Sequence, residues 1–166
     1  MEMLKIFISH KQEDCDTAIR IANYLLLHNI DYYLDVLDKQ LSGSGDNLTN
    51  HLRNKLSECS HLIAVLSENT KLSWWVPFEI GLATEKEYPI SSFVTFPKQD
   101  QIPEYLWKWP LLKSKNDLDQ YISILIKDKR VIIREQTIER GLLGRITPNY
   151  AEAFHRSLKT KLGQPI

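Results

Sequence analysis

In the stretch Ser73-Trp74-Trp75-Val76-Pro77-Phe78-Glu79, two tryptophans precede a carboxylate. If a helix opens here, the four-residue spacing sets Trp75 and Glu79 on one face, so a flat apolar ring and an anion can share one pocket. Such a pocket suits a sugar held beside an aromatic base. Pro77 fits the first helical turn, where missing backbone donors are tolerated, and Ser73 suits the cap. The same spacing also serves a packing tryptophan and a solvated first-turn glutamate favoured by the helix dipole.

These side chains need a framework that brings them together. From Met3 to Phe96 short apolar runs alternate with amphipathic helical patterns, the signature of a parallel sheet covered by helices on both faces. Leu4-Lys5-Ile6-Phe7-Ile8 reads as the first strand, with the turn Ser9-His10-Lys11 leaving it. Asp14 or Asp16 can then cap a helix whose apolar stripe is Ala18, Ile21, Ala22 and Leu25, ending near His28-Asn29. Tyr32 to Val36 is a second strand, followed by the polar loop Leu41 to Gly45. Asp46 caps a helix carrying Leu48, Leu52 and Leu56, and His61 to Leu66 is apolar enough for the sheet centre. The helix holding Glu79 runs to about Lys86, and Ile90 to Phe96 supplies a fourth strand.

Beyond Pro97 the pattern loosens. Gln101 to Pro110 is an aromatic segment bracketed by prolines that covers a sheet edge. Leu118, Tyr121, Ile122 and Leu125 fit another helix, which Val131-Ile132-Ile133 either extends or follows as a short strand. Thr147-Pro148 opens a last helix with Ala151, Phe154, Leu158 and Leu162 on one face.

An open parallel sheet binds ligands at the carboxyl ends of its strands, where strand order reverses. That rule collects Ser9, His10 and Lys11 after the first strand, Asp35 after the second and Ser67 after the third, with Glu79 and the tryptophans in reach. Other chemistries lack their residues. The cluster Gly43-Ser44-Gly45 has neither the dinucleotide fingerprint nor the phosphate loop, and no Gly-x-Ser-x-Gly elbow is present. The five histidines are scattered without metal-ligand spacing, so no metal is expected. With 21 basic and 21 acidic side chains the net charge is zero, which argues against a nucleic-acid partner. Met1 to His10 is neither a signal peptide nor a membrane span, so the expected location is the cytoplasm and no membrane is involved. Cys15 and Cys59 make no disulfide framework and are expected to be reduced.

Four segments together carry a resemblance. Ile6-Phe7-Ile8-Ser9-His10, then Tyr33-Leu34-Asp35 with its glycine-bearing loop, then Leu62-Ile63-Ala64-Val65-Leu66-Ser67, then Trp75-Val76-Pro77-Phe78-Glu79-Ile80-Gly81 resemble the successive boxes of a Toll/interleukin-1 receptor (TIR) domain. The likeness covers about residues 3 to 96, in order and spacing. It implies an α/β, flavodoxin-like three-layer fold with about five parallel strands and helices on both faces. For members with a glutamate at the Glu79 position it implies cleavage of NAD at the nicotinamide–ribose bond, NAD being substrate and no further cofactor being needed. Glu79 is then the catalytic residue, and Ser9, His10, Lys11, Asp35, Ser67, Trp74 and Trp75 are the candidates for substrate binding. The loop Val36 to Gly45 corresponds to the family's mobile loop, which governs access and self-association. The chain is similar to prokaryotic TIR proteins of anti-phage defence such as Thoeris, which implies a nucleotide product read by a separate effector protein. The expected division is a TIR domain over 1–126 and a helical extension over 127–166 packed on the same domain.

The implied reaction suits these residues. Departure of nicotinamide leaves an oxocarbenium-like ribose, which a buried carboxylate stabilises while Trp75 or Trp74 holds the base by stacking. Water attack gives linear ADP-ribose; attack by a group of the same molecule gives a cyclic isomer. Two other readings use the same residues: a non-catalytic TIR interaction module or adaptor, and a flavodoxin-like nucleotide enzyme such as a deoxyribosyltransferase, which also sets a glutamate near a sugar.

Overall fold

Strand β3 (His61–Leu66) is buried at all six positions, as the apolar run Leu62 to Leu66 requires of a strand with neighbours on both edges and helices on both faces. The computed structural model describes residues 4–34, 45–96, 101–138 and 150–166, without the side chains of 46 and 129–138. Beside β3 lie β1 (Lys5–Ser9) and β4 (Ile90–Val94), with β2 (Asp31–Leu34) and β5 (Leu111–Leu112) at the edges. The order is β2-β1-β3-β4-β5 and every pairing is parallel. Strand order therefore reverses between β1 and β3, which opens the crevice at their carboxyl ends. Ser9 stands level with Ala64 there.

Alternation along the strands divides the core into two layers. Ile6, Ile8, Ile63 and Val65 face α1 (Cys15–Leu27), α4 (Lys115–Ile138) and α5 (Tyr150–Leu162), meeting Ile21, Leu25, Tyr121 and Phe154. Phe7, Leu62, Ala64 and Leu66 face α2 (Gly45–Ser57) and α3 (Trp75–Glu85), meeting Leu52, Leu56, Val76 and Ile80. The predicted stripe Ala18, Ile21, Ala22 and Leu25 is the buried face of α1. That helix stops where Asn29 turns left-handed at φ 56°, letting Ile30 N–H bond back to the Leu25 carbonyl at 3.1 Å.

One reading of the sequence changes and two open points are settled. Asp14 stands at the start of α1, but its side chain makes no capping bond, and Asp16 lies within the first turn. Val131-Ile132-Ile133 extends α4 rather than forming a strand. The fifth strand is the two-residue Leu111-Leu112, directly after the proline-bracketed aromatic segment. The expected cap Thr147-Pro148, the loop from Val36 to Ser44 and Asp35 itself lie outside the described residues. Among the described residues, no helix is long and apolar enough to cross a membrane.

Helix α4 continues unbroken past residue 126, and α5 returns against it to bury Phe154 and Leu158 in the first core layer. His155 Nε2 accepts the Ile90 N–H at 2.8 Å, and the Gln164 side chain bonds both the N–H and the carbonyl of Leu111.

Candidate active site

Helix α3 begins where the sequence places it. Ser73 Oγ accepts the backbone N–H groups of Trp75 at 3.1 Å and Val76 at 3.3 Å, and Pro77 sits in the first turn, where no partner for its nitrogen is needed. The buried face of the helix is Val76, Glu79, Ile80 and Ala83, a stripe spaced by three and four. Glu79 thus occupies a core position, with 0% of its surface exposed. The reading of Glu79 as a solvated first-turn residue ends there. Ser9 Oγ–H, at the carboxyl end of β1, donates to Glu79 Oε2. A carboxylate removed from water needs such donors, because an uncompensated buried charge costs several kcal/mol.

Around this pair the crevice is built from two turns. Next to Ser9, His10 is buried, its Nδ1 in a long 3.4 Å contact with the Ile8 carbonyl oxygen. Lys11 is half-buried and ion-paired at 3.1 Å with Glu13, whose carboxyl is held below its usual range by a backbone hydrogen bond and then by Lys11. Trp75 lies one turn before Glu79, half-buried against the α2/α3 layer, with its ring 5.8 Å from that of Phe78. Trp74, the residue before it, is 93% exposed. Ser67, at the end of β3, gives its one proton to Asp14 Oδ2 at 2.6 Å. Asp35 lies outside the described residues.

The structure therefore gathers Ser9, His10, Lys11 and Glu79 at the β1 end, with Trp75 on the same side of α3. Sequence reading missed the partners of Ser67. Asp14, one of two aspartates the sequence offers as a helix cap, has a buried carboxylate that accepts from Ser67 Oγ and, at 3.0 Å, from Asn69 Nδ2. The polar run Ser67-Glu68-Asn69-Thr70 directly after an apolar strand was the available signal of a hydrogen-bonded turn. Cys59 has its thiol pushed up to about 12 by burial, so it stays protonated and serves packing.

A central parallel sheet in this order agrees with the comparison to known proteins. The family model for the TIR domain matches residues 6–129. The chain belongs to the TIR-domain family. This TIR domain is similar in fold to the crystal structure of the TIR domain of the Toll-related receptor TRR-2 from Hydra magnipapillata. The TM-score is 0.58 and the identity 15%, with 75% of this chain and 97% of that one covered. In sequence it is 33% identical over 79 residues to a Bacillus cereus (strain MSX-D12) protein named probable 3′ cyclic ADP-D-ribose synthase ThsB′. The match spans 46% of this chain and 41% of that relative's length.

Proposed function

We propose that this TIR domain cleaves NAD at the nicotinamide–ribose bond and closes the remainder into a cyclic ADP-ribose isomer. The observation that carries the reading is the fully buried carboxylate of Glu79, bonded by Ser9 at the carboxyl end of β1. A dry, oriented anion in that crevice supplies what the reaction lacks in water: fixed negative charge beside a ribose that becomes cationic as nicotinamide leaves. The bonding pair of the broken C–N bond departs with nicotinamide, which becomes neutral. The ribose cation is then captured either by water, giving linear ADP-ribose, or by a nucleophilic group of the same molecule, which loses a proton and closes the ring. The name of the Bacillus cereus relative favours the second outcome.

Residue roles follow from position. Glu79 is the catalytic carboxylate; Ser9, His10 and Lys11 line the ribose and phosphate side; Trp75 stacks on a base. Trp74, Ser67 and Asp35 complete the proposed substrate-binding set. Residues 1–126 form the catalytic unit and 127–166 an extension packed on it. The reaction runs in the cytoplasm, where NAD is available, self-association completes the site, and a separate effector reads the product. Neither nucleic acid nor a membrane takes part.

One observation favours a second reading, a protein-interaction module. Trp74 at 93%, Leu72 at 79% and Phe78 at 39% exposure form an apolar crest at the start of α3. Purified protein incubated with NAD and followed by chromatography decides between the two. Nicotinamide release with a cyclic adenine product is expected; no release at any protein concentration supports the module, and linear ADP-ribose alone limits the activity to hydrolysis.

A further inference from the structure

We propose that Asp14 is a positioning residue that holds Ser9 and Glu79 at their working separation by strapping together the two turns of the crevice; the proposal rests on the enzymatic reading above. Asp14 is 8% exposed, and its carboxylate ignores the helix end on which it sits. Instead it reaches across to Ser67 Oγ at 2.6 Å and Asn69 Nδ2 at 3.0 Å, both in the turn between β3 and α3. Burying a carboxylate costs free energy that a solvent-facing cap would not, so the two bonds must offset a real penalty. A cap could be had at the surface. What the buried arrangement adds is a connection between distant segments.

Each end of that connection leads to the reacting pair. Asp14 N–H donates to the Lys11 carbonyl at 2.8 Å, which fixes the carboxylate to the turn that begins at Ser9. On the other side Asn69 N–H donates to Ser67 Oγ at 3.0 Å, and Ser67 N–H donates to Thr70 Oγ1 at 2.9 Å. Ser73 N–H then bonds the Thr70 carbonyl at 2.9 Å, and Ser73 Oγ caps α3 one turn before Glu79. Hydrogen bonds thus run without a gap from the Lys11 carbonyl, in the turn that leaves β1, to the first turn of α3. The Ser9–Glu79 bond joins the end of β1 to α3, so the strap and the reacting pair act side by side. Small misplacements of a reacting group cost large factors in rate.

The test exchanges the two ends of the strap. Asp14→Asn leaves the Asn69 amide facing another amide, whereas Asp14→Asn combined with Asn69→Asp restores one carboxylate and a donor for it. For NAD turnover, Asp14→Asn is expected to lower kcat about tenfold or more with KM within about threefold, and the double variant to return kcat to within about threefold of the parent. Amide NMR signals of Ser9 and of Trp75 to Glu79 should move in the single variant and return in the double one. Unchanged kcat in Asp14→Asn, or a double variant that regains its melting temperature but not its kcat, overturns the proposal. If Asp14→Asn does not fold, Ser67→Ala, which leaves the bond from Asn69 Nδ2 to Asp14 in place, takes over, and an unaltered kcat there overturns it equally. A parent protein that releases no nicotinamide overturns the enzymatic reading itself, and with it any catalytic role for Asp14; the NMR signals alone then decide whether the strap exists.

Discussion

Ser9 and Glu79, 70 residues apart in the chain, meet through a hydrogen bond sealed from solvent at the junction of β1 and α3. The bond explains how a carboxylate survives in a stripe whose other members are Val76, Ile80 and Ala83. A charge kept there for packing alone would be replaced at a gain by an apolar side chain, which fits the catalytic role proposed for it. Glu79→Gln keeps shape and removes charge. NAD turnover should fall by about a hundredfold or more, roughly 3 kcal/mol of transition-state stabilisation, while the melting temperature stays within a few degrees. Turnover at the parent rate would remove Glu79 from the mechanism.

The two tryptophans separate by burial. Trp75 packs against the α2/α3 layer, so Trp75→Ala should cost about 2 kcal/mol of stability and raise KM for NAD, and Trp75→Phe should keep most of both. Trp74 is 93% exposed, and Trp74→Ala should leave stability within about 0.5 kcal/mol. Thermal melts paired with KM measurements check both, and an unchanged KM in Trp74→Ala takes that residue out of the substrate site.

Much of this arrangement is legible from the chain because it is written in local periods. The stripe of α1, the apolar run of β3 and the cap-proline opening of α3 each repeat at helix or strand spacing. Asn29 marks its helix end because few other residues accept φ 56° readily. The sequence places Glu79 on a face, but its burial shows only in the fold, where that face with Val76, Ile80 and Ala83 turns inward. Leu111-Leu112 is too short to carry any period, and Val131 to Ile133 fits helix and strand alike. Asp14 was hidden for another reason. An aspartate before a helix reads as a cap, and a partner 53 residues away leaves no local trace.

Two histidines held neutral, His61 buried and His155 half-buried, give the fold an acid limit. Burial pushes His61 down to about 3, with His155 a lesser cause. Burial likewise pushes His155 down to about 4, helped by Lys108 and Lys159. Unfolding exposes both to their ordinary value near 6.5, so the unfolded chain binds the extra protons. Their contribution to stability is complete above about pH 6.5 and falls as pH drops through the window toward 4 and then 3, by up to about 1.4 kcal/mol per pH unit for each. Calorimetry from pH 7 to 4.5 should show this decline. His155→Gln, whose side-chain carbonyl can accept the Ile90 N–H, should be less steep in the same window. Parallel profiles for the two proteins would show that His155 does not titrate as its surroundings require.

The outer edge of β5 is closed by a side chain instead of a strand. Leu111 N–H donates to Gln164 Oε1 at 3.0 Å, and Gln164 Nε2–H donates to the Leu111 carbonyl at 2.6 Å. A primary amide presents one donor and one acceptor as a peptide group does, so Gln164 stands in for a sixth strand at the single residue where one is needed. Gly163, at φ 65°, turns the chain out of α5 to deliver it. Nearby, Lys159 Nζ holds the Trp107 carbonyl at 2.9 Å, fixing the helix to the segment that leads into β5. Removing the amide opens both Leu111 groups to water. Gln164→Ala should therefore lose about 1 to 2 kcal/mol of stability and raise the exchange rate of the Leu111 amide hydrogen more than that of the Leu62 amide in the sheet centre. Gln164→Glu should do no better, because a carboxylate accepts from the N–H but repels the carbonyl oxygen. Hydrogen exchange read by NMR on the three proteins is the check, and a Leu111 amide that stays as protected in Gln164→Ala as in the parent would mean that the edge is closed by something other than Gln164.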